Sequence, residues 1–418
     1  MDSFIVQGGI ALRGKIRIQG SKNAALPILA ACLMTKDQVV LENCPKIADI
    51  RGMISILESL GCQLKWDGNT LLISAQGPCD GVMPGDIVGS MRSSVFLLGA
   101  LLGRGQDVEL DEPGGCVIGE RPIDLHVKGL KQMGVSFERQ GTKLCAKAPK
   151  GIKGCDVFLE FPSVGATENL VMAATAAKGV TRIYGAAKEP EVQALCEFLR
   201  GCGAKIEGIG KSVLTIRGEN ALHGTVFQIP PDRIVAGTYL LAGFACGGEI
   251  FMEDVPVSHM SATMEIAEKM GALLTVTKEG LYVQFPERAL ELPFVRTDIY
   301  PGFPTDLQSI LLAVRCTGKG DTILRENIFE NRFRIREELQ KMGASIERMD
   351  DRSVRVAGVE VLRGTVVEAR ELRGGAALVV AAMGAKGETE IRGRKYIERG
   401  YENMGHDLRE LGVRIVSV

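Results

Sequence analysis

The segment "PGGCVIGERPIDLH", residues 113–126, sets Cys116 behind two glycines and ahead of Arg121, Asp124 and His126. A cysteine that fills a core has apolar neighbours at helix or strand period on both sides, and this one has glycines before it and only Val117 and Ile118 after it. Gly114 and Gly115 permit backbone angles closed to other residues, so the loop is free to swing or turn tightly. Arg121 favours the thiolate and would lower the Cys116 pKa. Asp124 and His126 stand one alternation apart and are expected to share one side of an extended segment. These residue types point to a reactive thiol.

The other ten cysteines are scattered from Cys32 to Cys316 with no C-x-x-C pair, and the four histidines lie far apart. That pattern argues against a structural zinc site, and most of these thiols read as small buried hydrophobes. An odd cysteine count without an export signal favours free thiols over a disulfide framework. The opening "MDSFIVQGGI" lacks a basic stretch followed by an apolar one, so no secretory signal is expected. Nor does any run approach the ~18 apolar residues of a membrane span. A formal net charge of −1 gives no sign of a nucleic-acid partner. The expectation is a cytoplasmic protein, and 418 residues predict two domains.

The elements that must position the loop come from a repeat. Six segments share a glycine that ends an amphipathic helix: "LGCQLKWDGNTLLISA", "MGVSFERQGTKLCAKA", "CGAKIEGIGKSVLTIRG", "MGALLTVTKEGLYVQF", "MGASIERMDDRSVRVAG" and "LGVRIVSV". The glycines Gly61, Gly134, Gly203, Gly271, Gly343 and Gly412 are expected as left-handed cap residues. After five of them a strand, a polar turn and a second strand predict a hairpin. Six other segments interleave, each opening on small or polar residues and running into a nearly all-apolar helix, as "GSMRSSVFLLGALL" does. A helix apolar all round is buried.

The sixth unit stops after one strand, while the initial "FIVQGGIALRGKIRIQG" predicts a hairpin with no helix before it. Together they would complete one unit. The N-terminal residues are therefore expected to fold with the C-terminal half. Residues 21–231 would form a first lobe carrying the cysteine loop, and residues 1–20 with 232–418 a second. The prolines of "PPDR" at Pro230 would mark the second crossing between them.

Seven ordered blocks then carry a resemblance: "GSKNAALPILAA", "GGCVIGERPIDLH", "PSVGAT", "PPDRI", "FPTDLQ", "FENRF" and "ERGYENM". Along its whole length the sequence resembles the UDP-N-acetylglucosamine enolpyruvyl transferase (UDP-N-acetylglucosamine 1-carboxyvinyltransferase) family. The resemblance implies an α/β fold, a two-lobed inside-out barrel of six repeated units, three per lobe, with helices buried and strands outside. It also implies transfer of the enolpyruvyl group of phosphoenolpyruvate to the sugar 3-hydroxyl with phosphate release, the first committed step of peptidoglycan synthesis.

Phosphoenolpyruvate carries a phosphate and a carboxylate, so its pocket needs fixed cations. The resemblance assigns Lys22, Arg121 and Arg399 to the phosphate end and Arg332 and Arg373 to the carboxylate end, with Asn23 holding a hydroxyl of the ketal intermediate. Asp306 matches the base near the 3-hydroxyl; as a weak base it must act in concert with attack. Capping of the following helix is the competing role for Asp306. Cys116 matches the general acid at C3, the site of a phosphothioketal adduct with phosphoenolpyruvate and of fosfomycin alkylation in the family. Arg92, the segment Arg121–Pro122–Ile123–Asp124–Leu125, the Ser163–Val164–Gly165 turn, Asp306 and Ile328 would contact the nucleotide sugar. No Walker A loop occurs, so arginine and backbone amides must hold the diphosphate. The chemistry requires no metal and no cofactor.

Two positions depart from the family. Phe161 precedes "PSVGAT" where some relatives have lysine, and Glu371 stands where aspartate is usual. Three other readings compete: a non-catalytic or regulatory paralogue, an enolpyruvyl transferase acting on shikimate 3-phosphate, and a thiol hydrolase built on Cys116 and His126. Loss of Cys116, Asp306 or Lys22 would favour the paralogue, the shikimate enzyme lacks this cysteine loop, and a hydrolase leaves the cations without a task.

Because the assigned residues divide between the two lobes, UDP-N-acetylglucosamine is expected to drive closure with the cysteine loop as lid. Solution scattering should register compaction when the nucleotide sugar is added; an unchanged radius of gyration would refute closure.

Overall fold

The computed structural model describes residues 2–77, 79, 83, 85–111, 123–141, 143–218 and 221–418. They form two compact units. One contains the segments to Gln19 and from Pro231 to Val418, the other the described residues between Gly20 and Pro230.

Three helices occupy the interior of each unit. In the Gly20–Pro230 unit these are Lys22–Ala31, Phe96–Gly103 and Val164–Thr175. Residues 97–102 of the second, "LLGALL", are all buried, and all residues from Ala166 to Thr175 of the third are buried too. Close approach of these two helices depends on Gly99, where a Cβ would stand 2.5 Å from the Asn169 carbonyl oxygen. In the other unit Arg233–Cys246, Gln308–Arg315 and Leu372–Met383 pack on one another. Water is excluded on every side, so each buried Leu or Ile of this interior contributes about 1.5–3 kcal/mol.

The strands lie outside, in six separate small sheets that do not join into one closed barrel sheet. Five sheets have four strands and one has three among the described residues. In the four-stranded sheets a parallel edge strand, a central strand and an antiparallel pair follow one another. The five expected hairpins are present, such as Gln63–Asp67 with Thr70–Ser74 and Ser345–Arg348 with Ser353–Ala357.

The N-terminal hairpin is not formed. Ser3–Gln7 pairs antiparallel with Glu388–Arg392 and with Arg414–Ser417, placing Ile5 opposite Glu390 and Val416. Leu12–Arg17 instead joins Gly248–Glu253 as a parallel edge strand of another sheet. The link between them is held by other partners: Gly8 N–H donates to Gly387 O and Gly9 N–H to Met383 O, at 3.1 and 2.8 Å. The first strand thus fills the place left open by the shortened sixth repeat, and the second serves a neighbouring sheet.

The six repeat glycines all have positive φ, between 87° and 99°. Each closes its helix with the same two bonds. After Arg336–Lys341, for example, Gly343 N–H donates to Gln340 O and Ala344 N–H to Leu339 O. The residue after each glycine is apolar and buried, and the helix leucine or alanine whose carbonyl it caps is fully buried. This pairing is the hydrophobic half of the Schellman motif. Nothing lies within 4 Å of a Cβ built on Gly343, so Gly343→Ala measures backbone strain alone. It should lower unfolding free energy by about 1 kcal/mol in denaturant titration while leaving activity intact; an unchanged midpoint would contradict this role.

Candidate active site

In the unit that contains residues 231–418, Asp306 sits in a short 3₁₀ turn, Thr305–Leu307, ahead of the buried Gln308–Arg315 helix. It caps neither element. Its carboxylate faces two arginines instead: Oδ1 accepts from Arg332 Nη2 at 2.6 Å and Oδ2 from Arg373 Nη2 at 3.4 Å. The side chains of Arg332 and Arg373 are 2% and 4% exposed, that of Asp306 27%. Two buried cations therefore hold one partly open carboxylate.

Each arginine is fixed by a separate set of contacts. Arg373 opens the Leu372–Met383 helix, whose first amides are capped by Glu371: Oε2 accepts from Arg373 N–H at 2.9 Å, and Oε1 from Gly374 N–H. Both oxygens of the departure residue Glu371 are thus committed to the helix N-terminus. The Arg373 guanidinium lies 5.5 Å from the Tyr401 ring centroid, and the Tyr401 hydroxyl bonds Thr238 Oγ1 at 2.8 Å. Burial works against the Arg373 charge, but Tyr401, Asp306 and the helix-capping Asp232 more than offset it, and the pKa is raised. Its Nη1 is buried with no hydrogen-bond partner among the described residues. A donor left in that state is costly unless something accepts from it.

Arg332 donates through Nε to Thr305 Oγ1 at 3.3 Å, and Thr305 donates to Glu326 Oε2 at 2.9 Å. The second oxygen of Glu326 accepts from the backbone of Ile328 and Phe329, at 2.8 and 3.1 Å. One buried glutamate therefore joins the Asp306 turn to the loop that carries Ile328 and Arg332. Arg399 is half-buried in the turn after Arg394–Ile397. That turn is braced by Gln19, whose amide donates to Gly400 O and accepts from Glu402 N–H, at 3.1 and 2.8 Å.

In the other unit Lys22 opens its buried helix behind Ser21, whose hydroxyl accepts from Ala24 N–H. Lys22 Nζ lies 2.6 Å from Asp49 Oδ2, both side chains largely buried, and Asn23 is half-buried beside it. Ser163 caps the Val164–Thr175 helix through Ala166 N–H. Ile123 precedes a helix, Asp124–Gln132, rather than an extended segment. Asp124 consequently faces solvent and Leu125 is half-buried, while His126 turns inward, because residues two apart diverge on a helix. Phe161 is exposed. Cys116, Arg121 and Pro122 lie outside the described residues.

His126 is a scaffold. Its Nδ1 accepts from Asn169 Nδ2 at 2.9 Å, and Asn169 Oδ1 accepts from Gly99 N–H at 2.6 Å. A Cβ on Gly165 would come within 3.2 Å of the His126 ring, and the Arg92 charge acts on the same imidazole. The ring thereby gathers Arg92, the Asp124 helix and the Ser163–Gly165 turn. Burial first, then Arg92, lowers its pKa to about 3. A neutral, bonded imidazole does not fit the base of a thiol hydrolase. Asp49, Thr238, Thr305, Glu326 and Tyr401 carry no role that the sequence alone assigned, although Thr305 lies inside "FPTDLQ", Tyr401 inside "ERGYENM" and Glu326 just before "FENRF".

Comparison with known proteins agrees along the full length. The EPSP synthase (3-phosphoshikimate 1-carboxyvinyltransferase) family profile matches residues 6–408. UDP-N-acetylglucosamine 1-carboxyvinyltransferase 2 of Caldanaerobacter subterraneus is 40% identical, covering 100% of both chains. UDP-N-acetylglucosamine 1-carboxyvinyltransferase of Nitratidesulfovibrio vulgaris is 42% identical over 99% of each. Among solved structures, the enolpyruvyl transferase NikO from Streptomyces tendae superimposes with a TM-score of 0.89 at 25% identity, covering 100% of this chain and 98% of that one.

The His126 geometry predicts an imidazole that does not titrate in the native protein between pH 5 and 8. Since the folded pKa is lowered from 6.5 to about 3, the neutral ring favours folding fully above pH 6.5. That contribution is lost as pH falls toward 3, at about 1.4 kcal/mol per pH unit, because only the unfolded chain takes up the proton. A His126 NMR resonance that moved with an ordinary pKa would contradict the assignment.

Proposed function

Because the chain belongs to the UDP-N-acetylglucosamine 1-carboxyvinyltransferases of the EPSP synthase family, we propose that it moves the enolpyruvyl group of phosphoenolpyruvate onto the 3-hydroxyl of UDP-N-acetylglucosamine and releases phosphate. In a cell this is the first committed step of peptidoglycan synthesis. On the family resemblance the proposed compartment is the cytoplasm; no helix among the described residues is long and apolar enough to cross a membrane.

The observation that carries the reading is Asp306 gripped by two buried arginines. As the sugar oxygen bonds to C2 of phosphoenolpyruvate, its proton passes to the Asp306 carboxylate. The two guanidiniums hold that carboxylate oriented beforehand, and proton transfer in concert with attack lets a weak base serve. Arg332 and Arg373 share the Asp306 carboxylate, and Arg373 Nη1 is left as a waiting donor, which supports a second anion at the same place: the phosphoenolpyruvate carboxylate. Lys22, set by Asp49, and Arg399, braced through Gln19, take the phosphate with Arg121. Cys116 gives a proton to C3, forming a tetrahedral ketal; its thiolate then takes back a C3 proton as phosphate is expelled, and the proton held by Asp306 leaves with the phosphate. The His126 scaffold presents Arg92, Leu125 and the Ser163–Gly165 turn to the nucleotide sugar.

The family profile also covers enzymes of shikimate 3-phosphate, so the acceptor decides between readings. Phosphate release should follow from phosphoenolpyruvate with UDP-N-acetylglucosamine and not with shikimate 3-phosphate. No release with either would establish a non-catalytic protein, and release with the shikimate ester alone would reassign the substrate. Asp306→Asn should cut kcat by about 10²–10⁴-fold in a folded protein; near-normal turnover would remove Asp306 as the base.

A further inference from the structure

Thr305 and Glu326 lie outside every residue assigned to substrate, yet they form one continuous path to the proposed base. Glu326 is fully buried. The Thr305 hydroxyl donates to its Oε2 across 2.9 Å. That fixes the direction of the hydroxyl and turns a lone pair toward Arg332. Arg332 Nε–H donates to that oxygen at 3.3 Å, and the same planar guanidinium sends Nη2 to Asp306 Oδ1 at 2.6 Å. The guanidinium is rigid, so two fixed acceptors set its plane. The other oxygen of Glu326 holds the Ile328 and Phe329 amides, which anchors the loop on which Arg332 rides, and the Phe329 ring lies 5.6 Å from the Arg332 guanidinium carbon.

We propose that Thr305 and Glu326 are positioning residues that orient Arg332 between Asp306 and the carboxylate of phosphoenolpyruvate. This rests on the function proposed above. The hydroxyl of Thr305 is the part that matters, because it alone accepts from one side and donates to the other. Valine has the same shape without this property, and serine keeps the property while losing a methyl group. A Thr305 that served only packing would respond in the opposite order.

Steady-state phosphate release by the full-length protein, with each substrate varied in turn, separates the cases. Thr305→Val should lower kcat/KM for phosphoenolpyruvate by about tenfold or more, the effect of losing one hydrogen bond to a charged group. KM for UDP-N-acetylglucosamine should stay within about twofold, since that change leaves the Ile328 amide bond to Glu326 in place. Thr305→Ser should retain activity close to the parent. Thr305→Ala gives the same reading should the valine variant fail to fold. An active parent with an unimpaired valine or alanine variant, or a serine variant as poor as these, would overturn the relay. An inactive parent would instead overturn the functional reading on which it rests.

Discussion

The site is organised around two buried guanidiniums that share one carboxylate. Two guanidiniums are almost wholly removed from water, and the one carboxylate that touches both is only partly covered. Each buried cation carries a desolvation cost that is offset only by good geometry and full hydrogen bonding. For Arg332 the partners are Asp306 and the Thr305 hydroxyl backed by Glu326. For Arg373 they are Asp306, the Tyr401 ring and the charge of Asp232. Glu371, Thr238 and Gln19 brace the surrounding backbone and Tyr401. A pair held this firmly, with Arg373 Nη1 left without an acceptor among the described residues, is matched to an arriving anion.

Such a pair requires a rigid support, which the helix interior supplies. Asp306 and Arg373 sit at the entrances of buried helices, and Lys22 and Ser163 do so in the other unit. The start of a buried helix is where the chain leaves the apolar interior, so polar side chains can be firmly based and still reach outward. Helix N-termini also favour negative charge. The repeat thus has a chemical use: every unit offers one such entrance, and the sequence varies which residue stands there.

Much of this was legible in one dimension because its causes are local. All-apolar helices, glycine caps with an apolar residue following, and the missing strand of the sixth repeat each leave a pattern within a few residues. Local pattern also misled. Leu12–Arg17 looked like the partner of Ser3–Gln7, but an edge position on a distant strand claimed it. Asp124 and His126 looked like neighbours on a strand, yet the helix that holds them sends one to solvent and the other to Asn169. Asp306 had the look of a cap, and two arginines 26 and 67 residues away took its oxygens instead. Glu326, Asp49 and Tyr401 act through tertiary contacts that no spacing announces.

The cysteines separate the two kinds of information most sharply. Of the ten described thiols eight are buried and two half-buried, none in a disulfide. Burial pushes Cys196, Cys202, Cys246 and Cys316 up to about 12 and raises Cys32 as well. A thiol at such a pKa is neither an effective nucleophile near neutrality nor a ready proton donor. These five cysteines therefore act as small apolar residues. If a thiol takes part in the proposed chemistry, the burden falls on Cys116, whose glycine and arginine neighbours were the first unusual feature of the sequence.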